Sequence, residues 1–193
     1  MVRLNIYARL LQAAALPACG IVAVCLTYSP LQARAQSESI HTTIQGRLIV
    51  SDGDTISFAP THTGRRLRVR LWGIDAPEGN QSCGRVEAGE LAAAALQDVA
   101  GNRLAICSLR DVDDFERPVA LCFVEGRDIG AVMVSEGWAW DYQAYSGGAY
   151  SAQQAEAQRN GLGVHALNPR CELPWDLRAR ERRQRAARRA ARQ

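Results

Sequence analysis

Between residues 66 and 74 the chain alternates with a period of two. Leu67, Val69 and Leu71 point to one side, and Arg66, Arg68 and Arg70 to the other. Such a segment is a strand with one face on a core and one in water, and it needs neighbours to cover its apolar side. Two shorter runs precede it, residues 45–50 and 55–58, on either side of Asp52-Gly53, a dipeptide that closes tight hairpins. A second turn around Thr63-Gly64 leads into the alternating run. Three strands in a meander are expected.

Downstream, Ala88, Leu91, Ala92, Ala95, Leu96 and Val99 recur at helical spacing, and Gly101 ends the run. Residues 103–109 and 119–124 read as two further strands. Asp128 is placed to cap a short helix through Ile129, Val132 and Met133, which Gly137 stops. Ser151 with Gln154 reads as a capping box for a third helix ending at Gly161, and Pro169 and Pro174 close the body. This order predicts an α+β, mainly β domain: a five-stranded OB-type β-barrel with three helices, since closure removes the sheet edges. An open α+β sheet is the alternative.

The formal net charge of +3 hides a steep division. Residues 178–193 hold eight Arg and one Glu, a net +7, whereas residues 36–177 hold twelve Arg against nineteen acids, a net −7. A body this acidic disfavours sequence-independent phosphate binding by the body alone at physiological salt. All 23 Lys and Arg positions are Arg, a bias that reads as coding composition rather than as a phosphate signal. Residues 1–35 carry Arg3, Arg9 and Arg34 without an acid, an apolar stretch over 10–26, and Ala33-Arg34-Ala35 as a small-x-small cleavage site. They read as an export signal; Cys19 as a lipidated residue is the alternative. The expected organisation is a signal peptide at 1–35, a polar lead-in at 36–43, a domain at 44–177 and an Arg-rich tail at 178–193. The product would be periplasmic or extracellular, with no stable membrane insertion after cleavage.

Cys83, Cys107, Cys122 and Cys171 would remain in the exported chain, where four cysteines permit three pairings. Cys107 and Cys122 lie on two apolar runs joined by a tight acidic turn, which favours a cross-strand bridge and leaves Cys83 with Cys171. A zinc site is the alternative, without any Cys-x-x-Cys spacing to support it.

The chemistry-bearing stretch runs from Val50 to Glu78. Asp54 follows the hairpin turn and Asp75 ends the alternating strand, so pairing brings two carboxylates to one rim. Hard cations such as calcium take oxygen ligands of that kind, with carbonyls and waters completing the shell. Asp-Gly-Asp alone is equally good turn chemistry. In Asp75-Ala76-Pro77-Glu78 the proline fixes the chain direction and places Glu78 where it can orient a water or take its proton. Arg70 and Arg117 supply planar guanidiniums suited to the charge that develops on an attacked phosphodiester.

Asp-Gly-Asp-Thr, Arg-x-Arg-Leu-x-Gly-Ile-Asp-Ala-Pro-Glu, the Asp113–Arg117 turn, Glu-Gly-Trp-Ala and Pro-Trp-Asp-Leu-Arg occur here in an order that resembles the staphylococcal nuclease (thermonuclease) family over residues 44–177. The resemblance implies an OB barrel with three helices and calcium-dependent hydrolysis of DNA and RNA to 3′-phosphate ends. By position it implies calcium on Asp54, Asp75 and the carbonyl of Ala76, Glu78 serving the attacking water, and Arg70 and Arg117 on the phosphate. Tyr142 and Tyr145 lie where the family stacks a base, although rim packing accounts for them equally. Two departures imply reduced activity: Ala76 stands where Thr is frequent, and Phe115-Glu116 stands where Tyr-Gly is usual. The competing function is a non-catalytic OB module that binds nucleic acid or an envelope partner. In either case a monomer is expected. The tail has no apolar face and carries repulsive pairs at Arg178–Arg182, Arg185–Arg189 and Arg188–Arg192, so a helix there should be marginal in isolation.

Overall fold

The computed structural model describes residues 42–58, 66–167 and 170–192. The expected signal, most of the lead-in, the Thr63-Gly64 turn and Pro169 lie outside the described residues. In chain order the strands and helices are β1 (Thr43–Val50), β2 (Thr55–Phe58), β3 (Leu67–Leu71), β4 (Ile74–Asp75), β5 (Ser82–Cys83), β6 (Val86–Glu87) and α1 (Ala88–Ala100). They continue with β7 (Leu104–Val112), β8 (Pro118–Val124), β9 (Arg127–Asp128), α2 (Ile129–Ser135), β10 (Trp140–Asp141), α3 (Gln143–Ser146), α4 (Ser151–Arg159) and α5 (Pro174–Ala190).

The sheet runs β3-β2-β1-β7-β8-β9, and β3 also pairs with β8, in parallel, with Arg70 opposite Val119 and Leu71 opposite Ala120. That last pairing closes five strands into the expected barrel. Leu48, Ile56, Val69, Leu71 and Val124 fill it, and Leu96 of α1 with Ile129 and Met133 of α2 extends the same core. Each of these large side chains, fully buried, contributes about 1.5–3 kcal/mol. The cross-strand bridge forms as expected: Cys107 and Cys122 face each other in the β7–β8 register and are disulfide-bonded, as are Cys83 and Cys171.

The Asp128 cap is present, its carboxylate accepting from Gly130 N at 2.9 Å and Ala131 N at 3.3 Å. The capping box at Ser151 is not. Ser151 Oγ donates to Asp141 at 2.7 Å and Gln154 Oε1 accepts from Asp141 N at 2.8 Å, so both residues serve a buried aspartate across the turn instead of the helix end. Burial decides the competition: Asp141 is 3% exposed and must be satisfied. Helix α5 starts at Pro174 and runs without a break through the expected domain end at residue 177.

Candidate active site

Asp54 is set by its turn. Its amide donates to Asp52 Oδ1 at 3.2 Å, its carbonyl accepts from Leu71 N at 2.8 Å, and its carboxylate accepts from Thr55 Oγ1 at 3.0 Å. Asp75 arrives from the other side. After β3 the chain reverses at Gly73, whose φ of +75° is a left-handed conformation that glycine adopts freely. β4 then pairs with β10, Asp75 opposite Trp140. The two carboxylates converge on one atom: Arg70 Nη2 lies 2.6 Å from Asp75 Oδ1 and 3.0 Å from Asp54 Oδ2. Ala76 N also reaches Asp54 Oδ2, at 3.3 Å.

A second guanidinium completes the cluster. Arg178 of α5 donates to both Asp75 oxygens, at 3.1 and 2.6 Å, and to Glu78 Oε1. Asp75 therefore has no exposed surface and lies beneath Arg70 and Arg178, while the other expected residues open onto one cleft of about 1030 Å³. Asp54, Arg70, Ala76, Glu78, Arg117, Tyr142 and Tyr145 all line it. Arg117 stands apart from the carboxylates. It pairs with Asp113, Nε at 2.7 Å, and its guanidinium lies 5.4 Å from the Phe115 ring centre. Tyr142 stacks on Trp175 at 5.1 Å with 9° between the planes, and Tyr145, 57% exposed, leans on Tyr142 at 5.0 Å.

The turn before Arg117 carries Glu116 where the resemblance leads one to look for glycine. Glu116 keeps φ at +59°, so the turn retains its left-handed residue without glycine. A non-glycine side chain there costs about 1 kcal/mol.

The position of Arg178 depends on long-range ties. The Cys83–Cys171 bridge closes 88 residues, and Gln81 Nε2 donates to the Glu172 carbonyl at 2.7 Å while Gln81 Oε1 accepts from Glu78 N at 3.1 Å. In the chain-entropy account that closure is worth about 4–5 kcal/mol. The same loop rests on α1 at Gly89, where a methyl group would overlap the Glu78 carbonyl oxygen and come within 2.7 Å of the Gly79 carbonyl carbon. Gly89→Ala should therefore displace Glu78, cost about 1–3 kcal/mol through overpacking, and lower turnover without touching a charged group. Thermal unfolding and steady-state rates measure the two effects.

Burial pushes the Asp75 carboxyl up from 3.8 to about 6; the Arg178 hydrogen bond opposes the rise and the Asp54 charge adds to it. Burial and Asp54 push Asp52 to about 6 in the same way. For Asp52, whose contact with Arg68 is a long 3.9 Å, stability is present at low pH and is lost as pH rises from 3.8 to about 6. Ionised Asp52 thus burdens the metal-free fold above that window, whereas ionised Asp75 is held by Arg70 and Arg178 at 2.6 Å each. Arg70 shifts the other way: burial works against its charge, but Asp54 and Asp75 outweigh it and raise its value.

No group of three or more His, Cys, Asp or Glu side chains that could hold a metal occurs among the described residues. What the site offers is oxygen: two carboxylates drawn to one point, with the Ala76 backbone beside them. That donor set fits a hard cation such as calcium, which accepts carbonyls and waters, and it lacks the thiolate or imidazole that zinc favours. The surplus negative charge now balanced by Arg178 is the second mark of the fit.

Sequence reading missed Arg178 and Trp175 as members of the cleft. Their signal was in view as Pro174-Trp175-Asp176-Leu177-Arg178, yet the segment read as the end of the body.

Comparison with known proteins agrees with this geometry. Residues 68–166 match the family model described as staphylococcal nuclease homologue. An "Uncharacterized endonuclease" of Haemophilus influenzae is 32% identical over 120 residues, 62% of this chain and 64% of that protein. A "Staphylococcal-like nuclease CAN1" of Arabidopsis thaliana is 32% identical over 76% of this chain and 43% of its own length. A "Micrococcal nuclease" of Shigella flexneri is 31% identical over 67% of this chain and 76% of its own length. The chain thus spans less than two thirds of the Haemophilus and Arabidopsis proteins. With the barrel, the rim carboxylates and these matches together, the chain belongs to the staphylococcal nuclease homologue family.

Proposed function

We propose that the chain is an exported, calcium-dependent nuclease that hydrolyses phosphodiester bonds of DNA and RNA with low sequence selectivity and leaves 3′-phosphate ends. The observation that carries this reading is the meeting of Asp54 and Asp75 within 3.0 Å of one Arg70 nitrogen, on a cleft that Glu78 and Arg117 also line. Asp54, Asp75 and the Ala76 carbonyl are the residues that would hold the cation. Bound calcium would polarise the phosphodiester and position the attacking water. Glu78 then orients that water or takes its proton. Arg70 and Arg117 hold the phosphate oxygens as charge builds on them. Tyr142 stacked on Trp175, with Tyr145 beside it, offers flat apolar surface to any base, which accords with low selectivity.

Export is supported by the residue pattern of 1–35 and by the two disulfides, which form in oxidising compartments. No helix among the described residues is long and apolar enough to cross a membrane. On this reading residues 44–177 form the nuclease domain and residues 178–193 its basic extension. A single chain supplies every residue of the site, which supports a monomer as the working unit.

Digestion of DNA and RNA in calcium, followed by extension with a polymerase before and after a 3′-phosphatase, tests the reading. Fragments should extend only after the phosphatase; fragments that extend at once contradict the proposed product.

Arg178 and a cation claim the same Asp75 oxygens. Charged hydrogen bonds of this type are worth about 1.5–3 kcal/mol, so Arg178→Gln should tighten calcium binding by about 10–100-fold. Calorimetric titration measures it. Unchanged or weaker binding contradicts the competition.

A further inference from the structure

Helix α5 leaves the cleft carrying charge and little else. Its base is fixed by Arg178 on Asp75 and Glu78 and by Trp175 on Tyr142. From Arg182 to Arg192 every residue is exposed. On α5, Arg178, Arg182, Arg185 and Arg189 recur at intervals of four, three and four residues, and Arg192 follows in the turn after the helix. At 3.6 residues per turn the four helical residues share one stripe about 60° wide, and at 1.5 Å per residue the stripe runs about 17 Å. Arg178 and Arg182 both line the cleft, which fixes where the stripe begins.

The opposite side of the helix is partly neutralised, Arg180 pairing with Glu172 at 2.7 Å. On the stripe, Arg185 has only a 3.5 Å contact with Glu181, and Arg182, Arg189 and, in the turn beyond, Arg192 form no ion pair among the described residues. The cations therefore repel one another along the helix, at Arg178–Arg182 and Arg185–Arg189, and the acidic body offers them nothing beyond the first turns. A ligand that removes this repulsion must be a linear polyanion able to enter the cleft and continue past it.

We infer that the Arg stripe of α5 is a second binding site for the sugar-phosphate backbone, which takes the nucleic-acid strand as it leaves the cleft. It compensates for a body that repels polyanions away from the active site, and phosphate contacts of this kind position a strand without reading its sequence. The identity of the strand rests on the nuclease reading; the stripe itself does not.

The test uses the full chain with Arg185, Arg189 and Arg192 replaced together by Gln, all three outside the cleft. Binding to a single strand long enough to span cleft and helix is measured in chelator across a salt series. Removal of three contacts should flatten the slope of log affinity against log salt by about 2, whereas the KM for a fragment confined to the cleft should not move. Adding the long strand to the unmodified chain should also raise its helical circular dichroism, and the variant should respond less. A control with Arg180→Gln and Arg183→Gln, on the other side of the helix, should flatten the slope less per charge removed. Equal thermal midpoints identify folded variants. An unchanged slope in the triple variant overturns the inference, as does an equal effect per charge in the control. Loss of binding to vesicles containing anionic lipid with the nucleic-acid slope intact also overturns it. Because binding is read in chelator, absence of cleavage in calcium would fail the nuclease reading and leave this result standing.

Discussion

Asp75→Asn should lower the stability of the metal-free protein by about 3 kcal/mol, the low end of the cost of breaking a buried ion pair. Asp75 has no exposed surface and is the shared anion of Arg70 and Arg178. Without it two guanidiniums face one pocket with only Asp54 and Glu78 to balance them. The cost stays at the low end because their side chains are 18% and 30% exposed and can recruit water. For a chain of this size the thermal midpoint should fall by about 6–12 °C. Combining Asp75→Asn with Arg178→Gln should cost less than the two changes summed, since each alone breaks the same Asp75–Arg178 ion pair and it can be lost only once. Calcium binding should be lost in Asp75→Asn and in the double variant. A midpoint within about 2 °C of the unmodified protein would show that the cluster is not the anchor its geometry suggests.

Glu78→Gln should act on rate and spare the fold. The side chain is 37% exposed, and glutamine can still accept from Arg178. If Glu78 orients the attacking water and receives its proton, kcat should fall by about 10²–10⁴ while KM and calcium affinity stay near their original values. Steady-state kinetics on single-stranded DNA separates these quantities. A fall of kcat under about tenfold would remove Glu78 from that role. A parallel fall in calcium affinity would instead make it a ligand.

The barrel was legible because its signals are local. Alternation in residues 66–71, the Asp52-Gly53 turn and the helical spacing from Ala88 to Val99 each specify an element without reference to the rest. The convergence of Asp54 with Asp75 rests on one register, Thr55 opposite Arg70, which sets Asp54 beside the end of β3. What depended on distant partners was not legible. Ser151 and Gln154 carry a capping pattern, yet the unsatisfied Asp141 claims both. Glu116 is a local exception: it accepts a left-handed φ because Asp113 holds the turn, its Oδ1 accepting from Phe115 N and Arg117 N at 2.9 Å each. Arg178 reaches Asp75 across 103 residues through the Cys83–Cys171 bridge, and the motif that carries it, Pro174–Arg178, does not say which acid it meets.

The central claim is that rim carboxylates, a cation and Glu78 together cut the phosphodiester backbone. Incubation of plasmid DNA with the purified protein in calcium, in excess chelator, and in calcium with Glu78→Gln tests it most directly. Nicking and degradation in the first sample, and intact plasmid in the other two over the same interval, is the expected outcome. Equal cutting in all three contradicts it.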